Sequence, residues 1–213
     1  MTMPLAARPT YRTASDASST PSLAEGASAS AASPDAGSTA RFFLRERTRQ
    51  QHEATEEAFA PFDLGDPAHY RAFLTAHAMV LPRIELAVTG RGWPRFHPRL
   101  PRVADDLAAM GAWLPVPMIA PTISEAGIWG VQYVLEGSKL GGRVLASRLA
   151  EGSPARYLTP DPDMSASWQD FCAAFDAAAN DATLDWLDEA ASAAVETFQC
   201  FRRAANAMAE DLK

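Results

Sequence analysis

The chain reads as an all-α protein, and three observations lead there. No stretch alternates apolar and polar residues as a half-buried strand does. Several segments instead repeat apolar residues at three- and four-residue spacing. These segments carry helix punctuation, such as Asp66-Pro67 before one and Pro61 after another, which supply a start and a stop. Helices joined by short or proline-rich links imply a multi-helix bundle, with ligand space between facing helices.

Residues 1–40 are dominated by Ala, Ser, Thr, Pro and Gly, with Tyr11 the only aromatic. Such a segment buries too little apolar surface to offset its ordering entropy, so it reads as a disordered tail ahead of a helical domain over residues 41–213. The first helix opens near Arg41 with Phe42-Phe43-Leu44 and runs to about Phe59. Asp66 as N-cap and Pro67 at the first helical position begin the second, which Pro82 is expected to kink or end. A loop over residues 91–101 leads to a short amphipathic helix from Val103 to Leu114. Pro115, Pro117 and Pro121 then make a rigid break. A helical stretch from Gly127 to Leu145 follows, and after it a long loop through Pro154, Pro160 and Pro162. Two helices close the chain, about Ser167 to Ala179 and Thr183 to Ala209, with Trp168, Phe171, Phe175, Trp186, Phe198 and Phe201 as anchors.

Composition narrows the function classes. A net charge of -7 argues against a general nucleic-acid binder, which needs a concentrated basic surface. No run approaches the roughly 20 apolar residues of a membrane helix, and the amino terminus lacks the layout of a secretory signal. A cytoplasmic protein that engages neither membrane nor nucleic acid is the expectation. Cys172 and Cys200 stand within helical patterns without metal spacing, so they read as buried thiols in a reducing compartment.

Two stretches carry chemistry. The first is Gly127 to Leu145, which spends five glycines where each costs roughly 1 kcal/mol relative to alanine. At about 100° per residue, Gly130, Gly137 and Gly141 fall on one bare stripe, and Gly141-Gly142 is a natural kink. A flat ligand lying against that stripe explains the cost; close helix packing is the plainer explanation. The second is the face of the first helix bearing Arg45, Thr48, His52, Glu56 and Phe59. Glu56 sits one turn beyond His52, where a carboxylate can orient a metal-bound imidazole. Arg45 sits two turns before it, placed to meet an acidic group at the rim of a planar macrocycle centred over His52. His69, His77 and His97 are the remaining histidines, and of these only His77 rivals His52 as a ligand.

Together the two stretches resemble a known family. Leu44-Arg45-Glu46-Arg47-Thr48-Arg49-Gln50-Gln51-His52-Glu53-Ala54-Thr55-Glu56 resembles the proximal-helix motif of haem (heme) oxygenases. Gly130-Val131-Gln132-Tyr133-Val134-Leu135-Glu136-Gly137-Ser138-Lys139-Leu140-Gly141-Gly142-Arg143 resembles their distal helix, most closely in the bacterial biliverdin-producing branch associated with phytochromes. The resemblance covers about residues 41–205. It implies haem, at once cofactor and substrate, sandwiched between the first helix and a kinked distal helix, with His52 as the iron ligand and Glu56 orienting it. Gly137, Gly141 and Gly142 match the backbone crowding the distal side, Arg45 matches a basic propionate partner, and Tyr133 and Arg143 are further pocket candidates. Dioxygen is the implied co-substrate, and biliverdin, carbon monoxide and ferrous iron are the implied products. An electron-donating reductase or ferredoxin and a biliverdin-accepting phytochrome are the implied partners.

The chain departs from the family pattern in three places. Ser138 stands where the animal-type branch has an aspartate that orders distal water, and Lys139 replaces a small hydroxyl residue of the bacterial motif. The helix bearing Trp168 carries Asp170 and Asp176 but no basic residue for the propionates, leaving Arg143 or Arg202 as substitutes. These departures keep open a haem carrier or sensor that does not turn over. A thiaminase-like hydrolase needs a pocket nucleophile with acidic partners, and neither cysteine has a motif around it. An interaction module without ligand predicts that losing His52 changes no haem assay.

Overall fold

The longest helix serves as the spine. In the computed structural model, which describes residues 40–212 apart from Ala120, seven helices follow one another. They are α1 (Ala40–Phe59), α2 (Pro67–Val88), α3 (Leu100–Ala109), α4 (Glu125–Ser138), α5 (Gly142–Ala146), α6 (Met164–Ala178) and α7 (Leu184–Glu210), with a 3₁₀ turn, Lys139–Gly141, between α4 and α5. Helix α7 packs against α1, α4 and α2, while α3 packs on α2. The described residues belong to one compact unit, Ala36–Lys213. The tail expected over residues 1–40 lies outside the described residues, except for Ala40 at the head of α1.

Local signals account for most helix ends. Asp66 accepts from the backbone N–H groups of Ala68 at 2.7 Å and His69 at 3.1 Å, which satisfies donors the first turn leaves free. Ser124 caps α4 through Gly127 N at 3.1 Å, and Thr183 caps α7 through Trp186 N at 3.2 Å. Of the two outcomes expected at Pro82, an end to the helix is overturned, and the bounds expected for the next helix are corrected. Helix α2 runs through Pro82 to Val88, because Val80, Leu81, Ile84 and Val88 on either side are all buried and that burial outweighs the roughly 3 kcal/mol an interior proline costs. Helix α3 spans Leu100–Ala109 rather than residues 103–114. It starts early because buried Glu85 accepts from the N–H groups of Arg99 at 2.7 Å and Leu100 at 3.0 Å. It stops early at Gly111, whose φ of +69° lies in the left-handed region that glycine tolerates.

Aromatic side chains fill the layer between α4, α6 and α7. Trp168, Phe171 and Phe175 follow each other along α6 with ring centroids 5.7 and 6.2 Å apart, and the stack continues to Trp186 at 6.0 Å. Asp170 and Asp176 on the same helix act as tethers: Asp170 pairs with Arg95, and Asp176 accepts from the Arg41 backbone N–H at 3.2 Å. A second cluster surrounds His77, whose ring lies 4.4 Å from Phe73, 4.9 Å from Phe59, 5.1 Å from Tyr157 and 5.4 Å from Phe201. Its Nδ1 meets the Phe73 carbonyl oxygen at 2.8 Å. Burial pushes the imidazole down to about 4, outweighing the opposing pull of the Phe73 carbonyl.

The glycine stripe divides. A Cβ on Gly130 would lie 1.8 Å from the Ala190 carbonyl oxygen, so that glycine serves close packing of α4 on α7 and stands outside the cavity described below. Gly130→Ala is expected to cost about 3 kcal/mol, read as a fall in melting temperature on the order of 10 °C. His77 gives a pH signature. Its folded value lies below the ordinary 6.5, so the unfolded chain binds the extra proton first and stability falls as pH drops through the window from 6.5 to about 4. Denaturant titrations of the ligand-free protein should show a wild-type loss about 2 kcal/mol larger than that of His77→Gln between pH 7 and pH 5.

Candidate functional site

One cavity of about 540 Å³ opens between α1, α4, α5 and α7, within the range of small-molecule sites. Helix α1 contributes His52, Thr55, Glu56 and Phe59, because a spacing of three and four residues keeps them on one face. The end of α4 and the turn after it contribute Gly137, Ser138, Gly141 and Gly142. Phe73, Leu158 and Phe201 supply apolar wall, and His77, Arg99 and Arg148 supply the remaining polar groups. The two stretches singled out by sequence therefore line the same space.

His52 stands on the open side. Its side chain is 56% exposed and that of Glu56 71%. Nδ1 lies 3.7 Å from Glu56 Oε2, too far for a hydrogen bond, and this leaves Nε2 unengaged by Glu56. The ring meets Phe198 edge-on at 5.5 Å. Helix α1 is pinned to α7 by Thr55 Oγ1 donating to the Phe198 carbonyl at 3.2 Å and by Arg202 donating to Gln51 Oε1 at 3.2 Å.

The glycines of the turn have different jobs. A Cβ on Gly141 would meet nothing within 4 Å, so that position faces open space. On Gly137 it would touch Trp168 at 3.6 Å, and on Gly142 the Leu158 carbonyl at 3.0 Å. Gly137 tolerates a methyl group and Gly142 is held by packing, which leaves Gly141 as the glycine that presents bare backbone to the cavity. The kink expected at Gly141-Gly142 is a 3₁₀ turn over Lys139–Gly141, with α5 restarting at Gly142.

Three sequence candidates fall outside the lining. Arg45 and Arg143 are exposed and Tyr133 is half-buried against Trp168, with ring centroids 5.6 Å apart. Burial pushes the Tyr133 phenol up, an effect to which Cys172 adds and which the Arg45 guanidinium opposes, so Arg45 and Tyr133 are electrostatic neighbours. Arg202 is committed to Gln51 as above.

Arg99 and Arg148 escaped the sequence reading, and His77 entered it as an alternative to His52 rather than as a group of the same wall. His77 presents its half-buried ring to the cavity. Arg99 donates to the Tyr157 carbonyl at 2.7 Å and to Ser138 Oγ at 3.3 Å, with its guanidinium 4.2 Å from the Tyr157 ring centroid. The Ser138 hydroxyl in turn donates to the Leu135 carbonyl at 2.8 Å. Arg148 enters from the end of α5. No local motif marks these residues; their loops are set by distant buried groups. Asp106 holds the backbone N–H groups of Arg156 at 3.0 Å and Tyr157 at 2.8 Å, while Gln132 accepts from Trp93 N at 2.9 Å and donates to the Arg91 carbonyl at 2.9 Å.

No family model matches the chain. It is 31% identical over 118 residues to a protein named heme oxygenase from Xanthomonas campestris pv. campestris (strain 8004), an alignment covering 50% of this chain and 71% of that relative. Among solved structures it is similar to the heme oxygenase from Neisseria meningitidis described with NO and CO bound, with a TM-score of 0.66 over 81% of this chain and 92% of that one. At 20% identity that likeness shows the fold alone, which is the all-α fold expected. The relative's identity and coverage go further, and with them the chain belongs to the heme oxygenase family.

Proposed function

We propose that this chain binds haem in the cavity between α1 and the α4–α5 turn and oxidatively opens the ring to biliverdin, carbon monoxide and ferrous iron. Dioxygen is the co-substrate and a reductase or ferredoxin supplies the electrons. The observation that carries this reading is the joint lining of one cavity by His52 and by the glycines of the turn. When bound, haem supplies the iron that activates dioxygen and the carbon edge that is oxidised.

The residues present fit such a group. Phe59, Phe73, Phe201 and Leu158 offer apolar wall to a macrocycle. His52 offers Nε2 to iron, with Glu56 beside the other nitrogen to fix the ring's orientation. His52 would be the protein's own ligand to the iron, and haem would bring the other donors with it; among the described residues no cluster of three or more His, Cys, Asp or Glu side chains gathers. Gly141 leaves room beside its backbone for a small diatomic molecule, which a larger side chain would take. Because the Ser138 hydroxyl is spent on Leu135 and Arg99, Arg99 and neutral His77 are the groups able to order water near the reacting edge. Arg45, beside Tyr133, remains placed for a propionate reaching beyond the cavity, and Arg148 is an alternative within it.

The resemblance of residues 130–143 to the phytochrome-associated branch supports a role in chromophore supply, with a phytochrome receiving the product in the cytoplasm. Among the described residues no helix is long and apolar enough to cross a membrane. The engagement of Ser138 favours the second reading, a haem carrier or sensor, because no free acidic group stands at that position.

Hemin titration should give a one-to-one Soret complex, and reductant with oxygen should convert it to a biliverdin spectrum. A Soret band that persists identifies the carrier instead. His52→Ala is expected to weaken hemin binding more than about tenfold. Gly141→Ala should keep the melting temperature within about 2 °C, since a Cβ there meets no protein atom within 4 Å, yet lower ring opening at least about threefold by taking up space that the bare backbone leaves free.

A further inference from the structure

A second cavity, of about 340 Å³, lies against the other side of the α4 carboxyl end and is lined largely by charged side chains. We propose that it is the aqueous approach by which solvent protons reach the first cavity, and that Glu136 and Lys139 are a positioning pair fixing its inner end. The inference rests on the haem reading above. Ring opening consumes protons, in the water that oxygen leaves as and on the ring nitrogens that release iron, so protons must enter while haem fills the first cavity.

The partition between the two cavities is one helix wide. Successive helical residues point about 100° apart, and here Glu136 and Lys139 line the second cavity while Gly137 and Ser138 line the first. Arg99 belongs to both linings and is tied to Ser138 and Tyr157 on the first side. A guanidinium offers a rigid fork of hydrogen-bond donors, and Arg99 is placed to order water between the two linings.

Glu136 is only 2% exposed, and both its oxygens accept from Lys139 Nζ, at 2.6 and 2.7 Å. A buried ion pair is no more stabilising than apolar residues of the same volume. Its position behind the catalytic turn therefore points to a task other than stability. Arg99 and His97 face Glu136 from the loop before α3, and Arg95, Arg102 and Asp161 stand around the same cleft. Lys139, which departs from the bacterial motif, thus neutralises a carboxylate that would otherwise draw Arg99 away from Ser138.

The test uses the full chain loaded with hemin and the variants Glu136→Gln, Lys139→Met and Lys139→Arg. Hemin uptake should stay within about twofold of wild type, because neither residue lines the haem cavity. The acid–alkaline midpoint of the ferric spectrum should rise by a few tenths of a pH unit in Lys139→Met, which loses a cation, and fall by a similar amount in Glu136→Gln, which loses an anion. Single-turnover ring opening should slow at least about fivefold in Lys139→Met with a larger solvent isotope effect, and Lys139→Arg should restore it. Should Glu136→Gln fail to fold, the two Lys139 variants decide the matter. Variants that bind hemin normally yet keep the wild-type midpoint and isotope effect overturn the proposal while leaving the haem reading intact. If the unaltered chain takes up no hemin, both fall.

Discussion

The close approach of α4 to α7 sets the geometry on which the rest depends. Where Gly130 meets the Ala190 carbonyl there is no room for a single methyl group, so the two backbones lie in direct contact. Helix α7 also carries α1, through Thr55 and Gln51. One helix therefore serves as the reference for both walls of the cavity, and the space between His52 and the α4–α5 turn is fixed through α7. Moving α4 outward by one side-chain layer would displace Gly137 and Gly141 from the space they share with His52.

Buried polar groups do the second part of the positioning. Glu85, Asp106 and Gln132 are each almost wholly enclosed, and each spends its hydrogen-bonding capacity on backbone N–H or carbonyl groups of a loop. Glu85 starts α3, Asp106 holds Arg156 and Tyr157, and Gln132 holds the segment around Trp93. Unmet donors and acceptors in these places would cost about 1–3 kcal/mol apiece, so the loops have little freedom to drift. Burial pushes the Glu85 carboxyl up, while the bonds from Arg99 and Leu100 pull the other way. The loops bring Arg99 on one side and the adjacent Tyr157 and Leu158 on the other to the cavity from two separate parts of the fold.

These two kinds of constraint explain what the amino-acid order reveals. Helix starts at Asp66, Ser124 and Thr183 depend on neighbours two or three residues away, and the expected caps at Asp66 and Pro67 match the folded chain. The His52 and Glu56 pairing is equally local. By contrast, the early start of α3 depends on Glu85, which is 14 residues distant from Arg99, and the continuation of α2 past Pro82 depends on what buries its flanks. The glycine pattern announces close contacts but not their partners: Gly130 meets a helix, Gly142 meets a loop carbonyl and Gly141 meets empty space. Arg99 and Arg148 are invisible for a similar reason, since nothing beside them in sequence indicates the wall they join.

The two sides of the cavity differ in a way that suits a ligand consumed in each cycle. On the α1 side His52 and Glu56 are more than half exposed and stand 3.7 Å apart, so that face of the cavity is open to solvent. On the other side the backbone of the α4–α5 turn is held by Trp168 against Gly137, Leu158 against Gly142 and Lys139 across Glu136. On the haem reading, the open face at His52 would allow exchange, whereas a fixed backbone face would keep the reacting edge in register from one turnover to the next. Selectivity for one ring position would then come from the rigid face and from whichever arginine holds the propionates, not from the strength of the bond to His52.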